Sequence, residues 1–148
     1  MTGFDENEVY FKNWNKVEKK VEKKDRLDVM FELQAQLDIT VRRNHGKVPT
    51  VIDDATATQN FEMYGLAMID EVMEAIRLTH WKWWKKYNKS IDREALLEEI
   101  VDIEHFKIAL CQSMNFSTDD LYKAFVKKNE INQARQRGEV PGREDYKA

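Results

Sequence analysis

Residues 69–76 read Ile-Asp-Glu-Val-Met-Glu-Ala-Ile, residues 81–86 read Trp-Lys-Trp-Trp-Lys-Lys, and residues 98–106 read Glu-Glu-Ile-Val-Asp-Ile-Glu-His-Phe. The first and third segments surround their acids with apolar side chains, as helices with a partly buried face do. The middle segment is aromatic and basic. The order is therefore acidic helix, basic connector, acidic helix, which predicts an all-α fold organised around a helical hairpin.

The acidic side chains of this hairpin are spaced three residues apart. Glu71 and Glu74 form one pair, and Glu99 and Asp102 form the other. This spacing puts both members of a pair on the same side of a helix, so two facing pairs would form a cage of four carboxylates. Such a cage would hold Mg²⁺, with Mn²⁺ as a substitute, because hard oxygen ligands suit these ions better than zinc. The simpler alternative is a pair of solvated acidic helix faces.

Composition limits the class of protein. The 148 residues are enough for one domain with its own core, and 34% charged with 42% hydrophobic residues is typical of a soluble, helical protein. The formal charge of -3 argues against a general nucleic-acid binder. Cys111 is the single cysteine, which favours a core-packing role in a reducing cytoplasm. No apolar run is long enough to span a membrane, so we expect a cytoplasmic protein.

Apolar periodicity predicts a bundle of four to five helices in a single domain, residues 1–148. The predicted helices span residues 15–44, 59–79, 93–114 and 118–137. The first has an expected break near Lys24-Asp25, and residues 47–58 are expected to form a loop. Residues 1–14 are predicted to be a peripheral arm, and residues 139–148 a peripheral tail.

Short polar motifs mark several helix ends. Asp92 is a predicted N-cap for the third helix, and Ser117 with Asp120 resembles a capping box that opens the fourth. Gly46 and Gly138 are predicted to end the first and fourth helices.

The connector and the fourth helix both offer cationic side chains. Three Trp residues in the connector either cover the core or a subunit interface, or form a lid over a ligand, while Lys82 and Lys85 could reach phosphates. Lys128, Asn132 and Arg135 lie at positions i, i+4 and i+7 of the fourth helix. They form either a solvated basic helix end or the phosphate-binding half of a metal–polyphosphate site.

These segments together resemble a known family. The chain is similar to the all-α nucleoside triphosphate pyrophosphohydrolases, which include the MazG-like enzymes and the dimeric dUTPases, and it is closest to the dimeric dUTPases. The two acidic pairs have the order of the family's metal motif. Further similar segments are Phe31 to Asp38, Trp81 to Lys85, Val101 to Phe106 and Lys128 to Gln136.

The resemblance implies a role for each matching residue. Glu74, Glu99 and Asp102 would bind Mg²⁺, and Glu71 would share that site and orient or deprotonate the attacking water. The implied phosphate-binding residues are Lys82, Lys85, Lys128, Asn132 and Arg135. Gln34 and Asp38 fall where the family reads the base, and Trp84 would help wall the site. The implied reaction converts a dNTP to the monophosphate and pyrophosphate in a homodimer that binds neither nucleic acid nor membrane.

Two features depart from the family pattern. Arg77 stands where the dUTPases commonly have a small polar residue, and the usual Gly-Tyr after the last basic motif is missing. The prediction of the preferred base therefore depends on Gln34 and Asp38. Gln34 can donate to and accept from uracil, which favours dUTP, whereas a direct contact from the Asp38 carboxylate would favour the two donors of guanine in dGTP or GTP. A third reading is a non-catalytic helical dimer that binds proteins through its Trp-rich connector.

Overall fold

A computed structural model describes residues 24–47 and 53–139 as four α-helices joined by turns, and within those ranges there is no β-strand. The helices are α1 (Arg26–Asn44), α2 (Asp54–Arg77), α3 (Arg93–Ser113) and α4 (Thr118–Gln136). The predicted all-α fold is confirmed. The predicted arm, the predicted helical residues 15–23, residues 48–52 of the loop and residues 140–148 of the tail lie outside the described residues, so their placement and the single-domain assignment stay predictions.

Side-chain caps fix where the helices begin. Asp25 accepts a hydrogen bond from the backbone N–H of Asp28, and the Asp28 side chain accepts from the backbone N–H of Asp25, so α1 begins at Arg26, directly after the position of the expected break near Lys24-Asp25. Asp92 caps α3 as predicted. Residues 54–58 were predicted as loop, which is wrong, because Asp53 accepts from the Thr56 N–H and starts α2 there.

The ends of α3 and α4 also follow local chemistry. Ser117 and Asp120 form the predicted capping box. Gly138 follows α4 with a φ of +73°, a left-handed conformation that glycine adopts without strain. Asn115, with a φ of +58°, occupies the same region in the turn between α3 and α4, and Asn tolerates it better than most residues. This turn lets α4 leave the direction of α3.

The main packing unit is the hairpin of α2 and α3, and α1 packs on α3. The hairpin is antiparallel, since the rings of Tyr64 and Phe106 pack near one end while Glu71 approaches Glu99 and Asp102 nearer the connector. Two hydrogen bonds join α1 to α3. Gln34 pairs with His105, and the Gln112 side-chain amide donates to the Phe31 carbonyl.

The buried apolar core of the described residues is small. It comprises Phe31, Ala75, Ile108 and Ala109, and Ile108 is only 2% exposed. Many larger apolar side chains are at least one third exposed, among them Leu66, Ile69, Leu97 and Ile100. Exposed apolar area on this scale favours burial against a partner surface.

None of the four described helices has a stretch that is both long and apolar enough to cross a lipid bilayer.

Candidate functional site

Antiparallel packing of α2 and α3 brings three carboxylates together. One carboxylate oxygen from each of Glu71, Glu99 and Asp102 lies within 4.8 Å of the other two. Glu71 and Glu99 are half-buried, and Asp102 is exposed. We call these three residues the carboxylate cluster. Its hard, anionic oxygens match the ligand preference of Mg²⁺ and Mn²⁺.

The surroundings of Glu71 raise the pKa of its carboxyl. Burial raises the pKa of the Glu71 carboxyl, and the charges of Asp102, Glu74 and Glu99, in that order, raise it further. A raised pKa means that the protein disfavours the ionised form of Glu71. A divalent cation would reverse that preference, so the electrostatics fit a cation site.

Glu74 lies on α2 one turn after Glu71, outside the three-residue cluster. Its carboxylate is 3.8 Å from the Arg77 guanidinium, and both side chains are about half exposed. An exposed ion pair of this length contributes little free energy. Glu74 could therefore exchange Arg77 for a cation at small cost.

The connector between α2 and α3 is organised by Tyr87. Its ring stacks on His80 with a centroid distance of 4.2 Å, and its hydroxyl accepts a hydrogen bond from the Lys82 backbone N–H. The Lys85 ammonium lies 5.8 Å from the centre of the same ring. These contacts hold both predicted phosphate-binding lysines of the connector in one compact turn.

A shallow concavity of about 400 Å³ adjoins this turn. Its lining is strongly basic and includes Arg77, His80, Lys85, Lys86 and Lys89. It lies beyond the end of α2, on the connector side of the carboxylate cluster. A surface of this charge suits an anion next to a metal site.

The connector Trp residues are exposed. Trp83 is 87% exposed and Trp84 is 62% exposed, and their rings meet edge to face. The Lys82 ammonium lies 5.1 Å from the ring centre of Trp81. The rings therefore do not fill the core of the described chain, and they are available to a ligand or a partner surface.

The predicted phosphate-binding residues of α4 lie apart from the cluster. Helix α4 packs chiefly against α1, and Thr118 at its start donates a hydrogen bond to Asp28. Lys128 and Asn132 are exposed, and Arg135 is half-buried. Within the described residues, these three side chains thus belong to a helix that packs mainly on α1 rather than on α2 and α3.

Gln34, the predicted base-reading amide, is almost buried between α1 and α3. Its side chain is 5% exposed, and its carbonyl oxygen lies 2.6 Å from Nδ1 of His105. His105 follows Asp102 by one helical turn, so this pair lies beside the carboxylate cluster.

Asp38, the second predicted base-reading residue, uses both carboxylate oxygens within the protein. One accepts from Nε of Arg42 at 2.7 Å, and the other accepts from the Tyr64 hydroxyl. The Arg42 guanidinium also donates to Asn60 and Tyr64, so the network joins α1 to α2. We call these four residues the Asp38 network.

The pKa values of the network reflect its partial burial. Burial and the hydrogen bond to Asp38 raise the pKa of Tyr64 to about 12. Burial acts to lower the pKa of Arg42, but the bond to Asp38 and its charge outweigh burial and raise it. Tyr64 therefore stays a neutral donor and Arg42 stays charged throughout the physiological range.

Sequence reasoning assigned no role to Arg42, Tyr64, Tyr87 or His105. The spacing of Asp38 and Arg42, four residues apart on one helix, could have signalled their ion pair. Tyr64 and His105 are brought to Asp38 and Gln34 by helix packing, which leaves no local pattern.

Comparison with known proteins identifies the family. The family model described as dUTPase matches residues 26–111 and 107–139, which covers most of the chain and includes every candidate site residue. Comparison with curated proteins and with solved structures gave no significant match. A helical hairpin that gathers three carboxylates agrees with the family match, and the chain belongs to the dUTPase family of the all-α, MazG-like type.

Proposed function

We propose that this chain is a Mg²⁺-dependent pyrophosphohydrolase that converts dUTP to dUMP and pyrophosphate. The observation that carries the proposal is the carboxylate cluster of Glu71, Glu99 and Asp102, found in a chain of the dUTPase family. Family membership supports nucleotide hydrolysis, and the cluster supports the metal requirement.

The three clustered acids and Glu74 would hold the cation, with Mn²⁺ as a substitute for Mg²⁺. When bound, the ion neutralises charge on the phosphate chain and lowers the pKa of a coordinated water. Glu71 is suited to orient or deprotonate the attacking water, because it is a half-buried carboxylate that lies against the other two acids of the cluster. The reaction then needs little covalent participation by the protein.

Positive side chains would hold the phosphates. Lys82 and Lys85 lie in the turn organised by Tyr87, on the connector side of the cluster. Lys128, Asn132 and Arg135 would complete this binding surface, supplied by α4 of a second copy or by a movement of α4. Trp84 would wall the site from solvent once substrate is bound.

The Asp38 network bears on which base is bound. A direct Asp38 contact to guanine would have to displace Arg42 and Tyr64 from its two oxygens. Those bonds support a role for Asp38 in joining the helices, and they favour uracil over a purine as the bound base. Gln34 then carries base recognition, and its amide favours uracil.

Substrate choice is tested by incubating the protein with each dNTP and NTP and Mg²⁺ and measuring pyrophosphate release. We expect dUTP to be hydrolysed with the highest kcat/KM, and Asp38→Asn to lower activity on all substrates without exchanging their order. Dominant dGTP turnover in the wild type, lost in Asp38→Asn, would show that Asp38 reads guanine. Absence of any turnover would favour the protein-binding alternative, in which the exposed Trp83 and Trp84 form the contact surface.

The proposed enzyme is a homodimer. Leu66 and Ile69 on α2, with Leu97 and Ile100 on α3, are half or more exposed on the two helices that carry the cluster. Leu97 and Ile100 also line a groove of about 470 Å³, together with Ile91 and Leu96 and with two charged residues at its margin. A second copy would bury this surface, as symmetric pairs do.

The dimer is tested by sedimentation. We expect a single species of about twice the 17.6 kDa chain mass, and we expect Leu97→Glu to shift it toward the monomer because a charge cannot be buried there without a partner. The matched control is Leu33→Glu, since Leu33 is similarly exposed but lies on α1. A wild-type particle of one chain mass would contradict the dimer.

A further inference from the structure

His105 holds the Gln34 side chain through the carbonyl oxygen of the Gln34 amide. The Gln34 oxygen lies 2.6 Å from Nδ1 of His105, a length typical of a strong hydrogen bond. An amide oxygen accepts and never donates, so Nδ1 of His105 must carry the proton in this pair. Because Gln34 is 5% exposed, its amide has little room to rotate.

The contact between the Gln34 oxygen and His105 determines which end of the Gln34 amide can face a ligand. The NH₂ group of a primary amide has two donors and no acceptor. With its oxygen turned toward His105, Gln34 points its NH₂ group away from His105 and presents a donor on that side to a bound base. A free Gln side chain could turn over and accept instead, and would then bind either kind of edge.

We assign position 4 of the base to this donor, because uracil and cytosine carry opposite hydrogen-bonding groups there. Position 4 of uracil is a carbonyl, which accepts a hydrogen bond, whereas position 4 of cytosine is an amine, which donates. Two donors facing one another leave both unpaired, and a site built around one hydrogen bond rejects the analogue that cannot form it.

We propose that His105 is a positioning residue that fixes the orientation of the Gln34 amide and so makes the site select uracil against cytosine. This inference rests on the proposed function, because it assumes that Gln34 faces the base. The order of residues on α3 supports it. Asp102 belongs to the carboxylate cluster and His105 follows one turn later, away from the connector, so the amide is held beside the cluster on the side opposite the connector lysines.

Two polar substitutions of His105 distinguish a role in positioning the Gln34 amide from a role in packing alone. Asn at position 105 places its side-chain NH₂ near the original Nδ1 and can still donate to Gln34, whereas Gln at this position places its NH₂ near the original Nε2. The kcat/KM values for dUTP and dCTP are measured for the wild type, His105→Asn and His105→Gln. Circular dichroism checks that all three have the same helical content.

We expect the wild type and His105→Asn to prefer dUTP over dCTP to a similar degree. In His105→Gln the preference should fall by about tenfold or more, which corresponds to one misplaced hydrogen bond, and the loss should lie in the KM for dUTP. Equal losses on both nucleotides in both variants would show that His105 only packs, and would overturn the inference. A wild type that hydrolyses both nucleotides equally well would overturn it while leaving the proposed pyrophosphohydrolase intact.

The hydrogen-bond direction can be tested without turnover. Nitrogen-15 spectra of the imidazoles, recorded in mildly alkaline buffer and assigned by comparison with His105→Asn, should show Nδ1 of His105 protonated and Nε2 unprotonated. The opposite tautomer would mean that Gln34 donates to His105 and presents its oxygen to the base, which would overturn the inference even if the protein hydrolysed neither nucleotide.

Discussion

Glu99→Gln is expected to lower Mg²⁺-dependent dUTP turnover by at least about 100-fold, because it removes one of the four anionic ligands proposed for the cation. The substitution keeps the size and polarity of the side chain, so α3 should fold normally. The measurement is pyrophosphate release over a range of Mg²⁺ concentrations. Near-normal activity at limiting Mg²⁺ would contradict the assignment of Glu99 as a ligand.

Glu98→Gln is the matched control. Glu98 precedes Glu99 on the same helix but is exposed and lies outside the carboxylate cluster. It changes the net charge equally, so it should retain most of the activity. In EDTA, Glu99→Gln should melt at a higher temperature than the wild type because it relieves repulsion in the cluster, whereas Glu98→Gln should melt close to the wild type.

Arg42→Met is expected to cost about 2 kcal/mol of unfolding free energy, because it removes the cation from a partly buried network and leaves the Asp38 carboxylate with Tyr64 alone. The Arg42 and Asp38 side chains are 17% and 29% exposed, so solvent compensates part of the full buried-pair cost. The measurement is urea unfolding followed by circular dichroism.

Arg43→Met controls for the loss of a positive charge near the end of α1, since Arg43 is exposed. We expect it to change stability by less than about 0.5 kcal/mol. The double variant Arg42→Met with Asp38→Leu should recover part of the loss, because no charge then remains without its partner. If Arg42→Met and Arg43→Met were equally stable, the Asp38 network would contribute nothing measurable.

The sequence predicted the parts of this fold that depend on local chemistry. The capping motifs at Asp92 and Ser117 were sufficient to start α3 and α4, because a cap needs only residues within one turn. The start of α2 was misplaced because its cap, Asp53, follows a loop-like segment and precedes a stretch of weak apolar periodicity. Asp53 is a favourable N-cap residue, and this property indicates a helix start at Asp54.

Helical spacing was enough to predict those site residues that share one face of a helix. The three-residue spacing indicated Glu71, Glu99 and Asp102, and an antiparallel hairpin was enough to bring them together. Glu74 pairs with Arg77 instead of joining the three clustered acids, and side-chain rotamers set that pairing. The engagement of Asp38 by Tyr64 depends on how α1 and α2 approach across α3, which no spacing within one helix encodes.

The two hydrogen bonds between α1 and α3 also define the register of these helices. The apolar contact between them relies on Phe31, Ile108 and Ala109, whose nonpolar surfaces would tolerate a slide of one turn, about 5.4 Å. Such a slide would separate the Gln34 amide from His105 and the Gln112 amide from the Phe31 carbonyl, leaving the buried Gln34 side chain without its partner. Replacing these polar residues by well-packed apolar ones could therefore preserve stability while allowing α1 to occupy more than one position along α3.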